Sequence, residues 1–201
     1  MILHKKPRRY VIYKGKKIKL RPEFYRVLRC GAILSDSVLD DMDKLDLCLT
    51  ILIRHKFLIP HNAAVKAELF QVIFSFLADE NKRSSQPEKV FDFEQDAAYI
   101  YAAFWQCYRI DLYSRSGRKL HWHQFISLFS SLPEDVRMMQ IISIRARPMP
   151  KATKYNTEER QSLAKLKMTY RLYIPEEERK KQFEIGLAKM AIALQSMAKN
   201  P

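Results

Sequence analysis

The chain has 201 residues, 47% hydrophobic and 29% charged, a globular composition long enough to bury a core without disulfide or metal staples. Four glycines against eight methionines favour long helices and disfavour a glycine-rich nucleotide cradle. The net charge of +14 is unevenly spread: residues 1–30 hold 11 Lys/Arg and one acid, residues 31–144 hold 12 basic and 15 acidic residues, and residues 145–201 hold 13 and 6. A nearly neutral middle therefore lies between two basic flanks.

Residues 10–13 and 16–20 are short β-rich runs separated by Lys14-Gly15, and Gly15 suits the positive φ of a tight turn, so the chain is expected to open with a β-hairpin. Pro22 suits the first turn of a helix running to about residue 34. Residues 35–37 offer a cap for a second helix, in which Val38, Met42, Leu45, Leu49 and Leu52 recur at 4-3-4-3 and Asp40, Asp41 and Asp43 lie near the positive helix start. Pro60 and Asn62 open a third, with Val65, Leu69, Val72 and Phe76 on one face and Ile73 and Leu77 beside them. Residues 79–89 (DENKRSSQPEK) are polar, lack periodicity and contain a proline, which marks an exposed loop or linker at 79–90.

The spacing predicts a long helix over 92–113, with Phe93, Ala97, Ile100, Phe104 and Cys107 in register and Tyr101, Trp105, Tyr108 and Leu112 widening its apolar face. Such a helix is expected to be covered on two sides, at the centre of the core. Gly117 turns the chain within 114–119, and 120–132 is an aromatic helix holding Trp122, Phe125, Ile126 and Phe129. Ser131 and Glu134 form a capping-box pattern for a helix through Val136, Met139 and Ile142, ended by Pro148 and Pro150. Asn156 and Glu159 repeat the pattern before Leu163, Leu166 and Tyr170, and Pro175 opens a last helix with Phe183, Leu187, Met190, Leu194 and Met197 at 4-3-4-3. The expected fold is mainly α, with about six to eight helices and a short N-terminal hairpin. It divides into a basic arm and hairpin at 1–21, a helical core at 22–150 and basic C-terminal helices at 151–201.

Chemistry-bearing constellations are sparse. Cys30, Cys48 and Cys107 have no paired spacing and sit among apolar neighbours, which predicts buried reduced thiols. Asp92 and Asp96 share a helical face but fall in a first turn, where acids complement the dipole, so no metal or acid–base role is assigned to them. His121 and His123, two apart on a helix, are expected to point nearly opposite ways. No Walker loop, nucleophile elbow or His-Glu-x-x-His segment is present. The expectation is a non-enzyme with no catalytic residue, cofactor or metal. The longest apolar run, 97–105, is too short to span a membrane, and the N-terminus lacks a secretory pattern, which predicts a soluble intracellular protein with no membrane partner.

Two surfaces suggest partners. Lys5, Lys6, Arg8, Arg9, Lys14, Lys16 and Lys17 on the arm can neutralise phosphates beside Tyr10 and Tyr13, or can simply be a solvated strand face that protects a sheet edge. The aromatic face (Tyr101, Trp105, Tyr108, Trp122) and the Met-rich stripe (Phe183, Leu187, Met190, Leu194, Met197) suit a helical client or a second copy, the stripe equally well packing back on the domain.

The order of residues in 90–145 resembles the bacteriophage gene-product-fifteen family of siphophages. The resemblance rests on Asp92, Phe93, Asp96, Ile100, Ala103, Phe104, Tyr108, Ile110, Asp111 and Leu112. Leu120, Trp122, Phe125, Leu132, Pro133 and Asp135 then continue it. With the hairpin and the helix after it, the similarity extends to about residue 175, and its residues mark a fold more than an active site. The resemblance implies a tail assembly chaperone encoded near the tape-measure gene, which keeps the tape-measure protein soluble, contacts other tail assembly proteins and forms homo-oligomers. It implies a location in the cytoplasm of the infected bacterial host and absence from the mature virion. Nucleic-acid binding through the arm, or a structural place in the tail, is the competing expectation.

Overall fold

The computed structural model describes residues 5–78 and 90–173. The predicted loop at 79–90, except Val90, and the predicted last helix with its Phe183–Met197 stripe lie outside the described residues. Within them the fold is a two-stranded hairpin followed by seven α-helices, as the hydrophobic periodicity predicts.

Strands β1 (Tyr10–Tyr13) and β2 (Lys16–Lys19) pair antiparallel, with Tyr10 opposite Lys19 and Tyr13 opposite Lys16. Gly15 takes φ +73°, and Lys14 also enters the left-handed region at φ +47°, the backbone that a two-residue turn needs to match strand twist. Val11 and Ile18 face each other and are buried, so the apolar side of the hairpin is part of the core and its lysines face outward.

Helix α1 (Phe24–Ser35) begins two residues after Pro22. The proline is buried ahead of the helix, where its carbonyl accepts the Trp122 N–H at 2.7 Å. Helix α2 (Asp41–Leu52) is capped by Asp40, whose carboxylate accepts the Asp43 N–H at 2.7 Å, and not from 35–37. Ser35 still belongs to α1, and Asp36 instead closes a turn onto Val38. Val38 is therefore outside the helix and 91% exposed, and the buried stripe is Leu45, Cys48, Leu49 and Leu52. Helix α3 (Ala63–Leu77) starts at the predicted Asn62 cap, with the Val65 N–H donating to its side chain at 3.2 Å.

Helix α4 (Ala97–Tyr108) is shorter at both ends than the 92–113 pattern. Asp92 Oδ1 accepts the N–H groups of Glu94 and Gln95, which holds 92–95 in a turn. At the other end Arg109 takes φ +54° and stops the helix. Helix α5 (Trp122–Ser130) is capped by His121 in a reciprocal box with Gln124. Helix α6 (Arg137–Ala146) has no side-chain cap: Ser131 closes α5 instead, and the extended Val136 leads into α6. Helix α7 (Thr157–Thr169) starts at Asn156, whose side chain binds the Thr153 N–H and the Lys151 carbonyl and not the helix N–H groups.

The buried residues form two clusters. The first joins the hairpin to α2 and α3 through Val11, Ile18, Cys48, Leu49, Leu69 and Ile73. The second joins α4, α5 and α6 through Phe104, Phe125, Val136 and Met138. Helix α1 supplies Cys30 to the first and Phe24 to the second, and Trp122 packs against both. Phe125 is the centre of the second cluster, its ring stacked between Phe24 (4.7 Å) and Phe104 (5.0 Å). Helix α4 buries only Ile100, Ala103 and Phe104, so it is a flank of the core and not its covered centre.

Candidate functional site

The 4-residue spacing of Tyr101 and Trp105 puts both on one side of α4, away from buried Ile100 and Phe104. Trp105 is 47% exposed. The Tyr101 ring meets the ring of Tyr113 at 5.2 Å, and Tyr113 is 68% exposed. Partial burial, then the neighbouring Asp111 carboxylate, raises the Tyr101 hydroxyl above its ordinary pKa, so it stays a neutral donor. Tyr101 and Trp105 on α4, with Tyr113 from the segment after it against Tyr101, make an aromatic ledge beside the second cluster. Tyr113 was not a predicted site residue, because the pattern placed it at the end of a longer helix. The Arg109 reversal is what folds it back beside Tyr101.

Two other predicted contact residues turn inward. The Tyr108 hydroxyl donates to the Leu128 carbonyl at 2.9 Å, and its ring meets the Phe104 ring edge-on at 5.7 Å. The Trp122 indole N–H donates to the Leu77 carbonyl at 2.9 Å, satisfying an acceptor at the end of α3 and tying the two clusters together. Both side chains are partly buried and bonded within the fold. Phe183, Leu187, Met190, Leu194 and Met197 lie outside the described residues.

The predicted basic arm splits over two faces. Lys5, Lys6 and Lys16 are exposed. The Arg8 guanidinium lies over Phe76 at 5.6 Å, and Lys14 pairs with Glu68 at 2.9 Å. Glu68 also accepts the Tyr13 hydroxyl, and these bonds hold its carboxyl below the usual range and Lys14 above its own. Arg9 and Lys17 face the other way, into a cleft shared with cations from more distant segments.

The histidines depart from the helical expectation. His121 precedes the helix as its cap, which brings its ring within 5.1 Å of the His123 ring. Its Nδ1 accepts the His123 N–H, and its Nε2 lies 2.9 Å from the Arg8 carbonyl, an arrangement that fits a neutral ring protonated at Nε2. Asp96 likewise does not act on the helix dipole from the surface: it is buried and paired with Arg145. Cys30 and Cys48 are buried and Cys107 is partly buried, all as free thiols. Among the described residues, no group of three His, Cys, Asp or Glu side chains is placed to hold a metal, and no helix is long and apolar enough to cross a membrane.

The model of the bacteriophage Gp15 protein family matches residues 7–172, from just before the hairpin to just beyond α7. This chain belongs to that family. No curated protein and no solved structure matches it. The residues that carry the Gp15 resemblance are mostly core or packed against it in this fold: Ile100, Ala103, Phe104, Leu112, Phe125 and Leu132 are buried in the second cluster. The Gp15 signature is thus a packing pattern. The aromatic ledge and the basic cleft lie on its outside.

Proposed function

We propose that this phage protein is a non-enzymatic tail assembly chaperone that holds apolar helical segments of the tape-measure protein during tail morphogenesis. It acts with other tail assembly proteins in the cytoplasm of the infected bacterium, as a homo-oligomer, and does not remain in the finished virion. The observation that carries this reading is the ledge of Tyr101, Trp105 and Tyr113. Aromatic rings with few rotatable bonds give large contact area at small entropic cost, and Trp105 and Tyr113 expose theirs beside Tyr101, which suits an amphipathic client helix laid across them. Family membership supports a phage role, and the resemblance supports the tape-measure slot.

Co-expression tests it. The tape-measure protein expressed alone precipitates; with this chain it elutes as a soluble complex on gel filtration. Trp105→Ala removes a half-exposed side chain, so the variant folds normally but loses the complex. Clean separation of the two proteins at low and moderate salt overturns the reading, as does finding this chain as a constituent of purified virions.

A further inference from the structure

A cleft of about 630 Å3 lies between the hairpin, the start of α1, the chain leaving α2 and the segment before α5. Nine cationic side chains line it, with one carboxylate. The hairpin side contributes Arg9, Lys17 and Lys19, the approach to α1 contributes Arg21, and its first turn contributes Arg26. Arg54 follows α2, and Arg115, Arg118 and Lys119 close the far wall. The single acid, Glu23, is already engaged twice, by Arg9 at 2.6 Å and by Arg26 at 3.1 Å. Among the described residues the other seven cations of the cleft make no ion pair.

Lysines that guard a strand edge account for Lys17 and Lys19. They do not account for Arg54, Arg115 or Arg118, which lie on no strand and are all exposed. Gathering like charges into a concavity opposes folding until an anion offsets the repulsion, and a concave cationic wall focuses the field on one. Two aromatic rings accompany the charge. The Tyr10 ring has Lys17 at 4.0 Å and Arg8 at 5.9 Å from its centroid, and the partly buried Tyr25 has the guanidinium groups of Arg26 (5.1 Å) and Arg118 (5.2 Å) beside its ring. Six of the nine cations are arginines, whose planar forks match phosphate oxygens, and tyrosine faces accept bases by stacking.

We propose that this cleft binds single-stranded nucleic acid, the arginines turning onto the phosphodiester backbone and bases taking the places that Lys17 and Arg118 now hold over Tyr10 and Tyr25. Phosphate contacts carry no sequence information, so binding is largely independent of sequence. The cleft and the ledge on α4 use different residues, so this site stands or falls independently of tape-measure binding.

The test is fluorescence anisotropy of the full chain with fluorescein-labelled twenty-nucleotide dT and U strands, from 50 to 300 mM NaCl. The expected affinity falls steeply with salt, each neutralised phosphate adding about 0.7 to the log–log slope. Arg115→Glu with Arg118→Glu lowers it at least tenfold at unchanged melting temperature, and Tyr25→Leu lowers it without flattening the salt slope. The charge-matched pair Lys154→Glu and Lys165→Glu, remote in sequence from the cleft's segments, leaves most of the affinity in place. No binding at 50 mM NaCl overturns the proposal, and so does equal loss in the two charge-reversed pairs. Tighter binding of a polyglutamate of equal length overturns it in favour of an acidic protein partner.

Discussion

Arg145 and Asp96, 49 residues apart in sequence, form a two-pronged ion pair in the interior, at 2.6 and 2.9 Å. The same guanidinium donates to the carbonyls of Val90 and Tyr170, so one side chain gathers the chain before α4, the start of α4 and the end of α7 onto α6. Removing one partner strands a buried charge, which costs about 3–5 kcal/mol. Arg145→Ala and Asp96→Ala are each expected to lose that much in urea unfolding. Replacing the pair together, Asp96→Leu with Arg145→Met, recovers a large part of it. A loss below about 1 kcal/mol for either single change would contradict the burial seen for this pair.

Gly117 tests close approach. A Cβ placed there lies 2.0 Å from the Asp111 carbonyl oxygen, a backbone atom that cannot swing aside. Gly117→Ala is expected to destabilise by about 1–3 kcal/mol or more through this overlap. Gly31, inside α1, has no neighbour within 4 Å of such a Cβ. Gly31→Ala is expected to stabilise by up to about 1 kcal/mol through helix propensity. Opposite shifts in melting temperature confirm the pair of expectations; shifts of the same sign refute one of them.

His121 makes stability depend on pH. Burial pushes its pKa below the ordinary 6.5, against the opposing bond to the Arg8 carbonyl. The unfolded chain therefore takes up a proton near pH 6.5 that the folded chain resists, so the unfolded state is favoured progressively as pH falls below 6.5. Protonation at Nδ1 also removes the acceptor that holds the His123 N–H. Urea midpoints measured from pH 7.5 to 5 should decline. His121→Asn, which keeps a capping acceptor but cannot titrate, should flatten that decline. An unchanged slope in the variant assigns the dependence elsewhere.

The thiols differ in reach. The Cys30 Sγ lies 3.9 Å from the Cys48 carbonyl and the Cys48 Sγ 3.8 Å from the Cys30 carbonyl, both buried between α1 and α2. The neighbouring Cys48, then burial, pushes the Cys30 thiol well up; the same contact lowers Cys48, but both sulfurs are buried away from reagent. Ellman's reagent is expected to titrate one thiol, Cys107, quickly in the folded protein and all three only in denaturant. Cys107→Ser abolishes the fast phase. Rapid release of three equivalents from folded protein would show that the α1–α2 contact opens readily.

What was legible in the sequence was local. Lys14-Gly15 announced the hairpin turn, and Asn62 announced the start of α3, because each acts through its own neighbours. The ends of α4 were hidden because apolar spacing runs on through 92–96 and 110–112, while Asp92 bonds and the Arg109 backbone decide where the helix stops. Tyr108 and Trp122 read as surface aromatics, but each has a long-range carbonyl partner that no periodicity reports. The cleft was hidden for a related reason. Arg54, Arg115 and Arg118 belong to the nearly neutral middle by sequence, and only folding brings them beside Arg9 and Lys17.

Helix α1 gives Phe24 to one cluster and Cys30 to the other, with Trp122 wedged where they meet. A chain cut between residues 78 and 90 therefore separates Phe125 from the stacked ring of Phe24 and Leu77 from its indole donor. Neither piece keeps a complete interior, yet each carries the surface the other lacks. Such halves are suited to reassembly in trans, so two truncated genes could restore one working protein by fragment complementation.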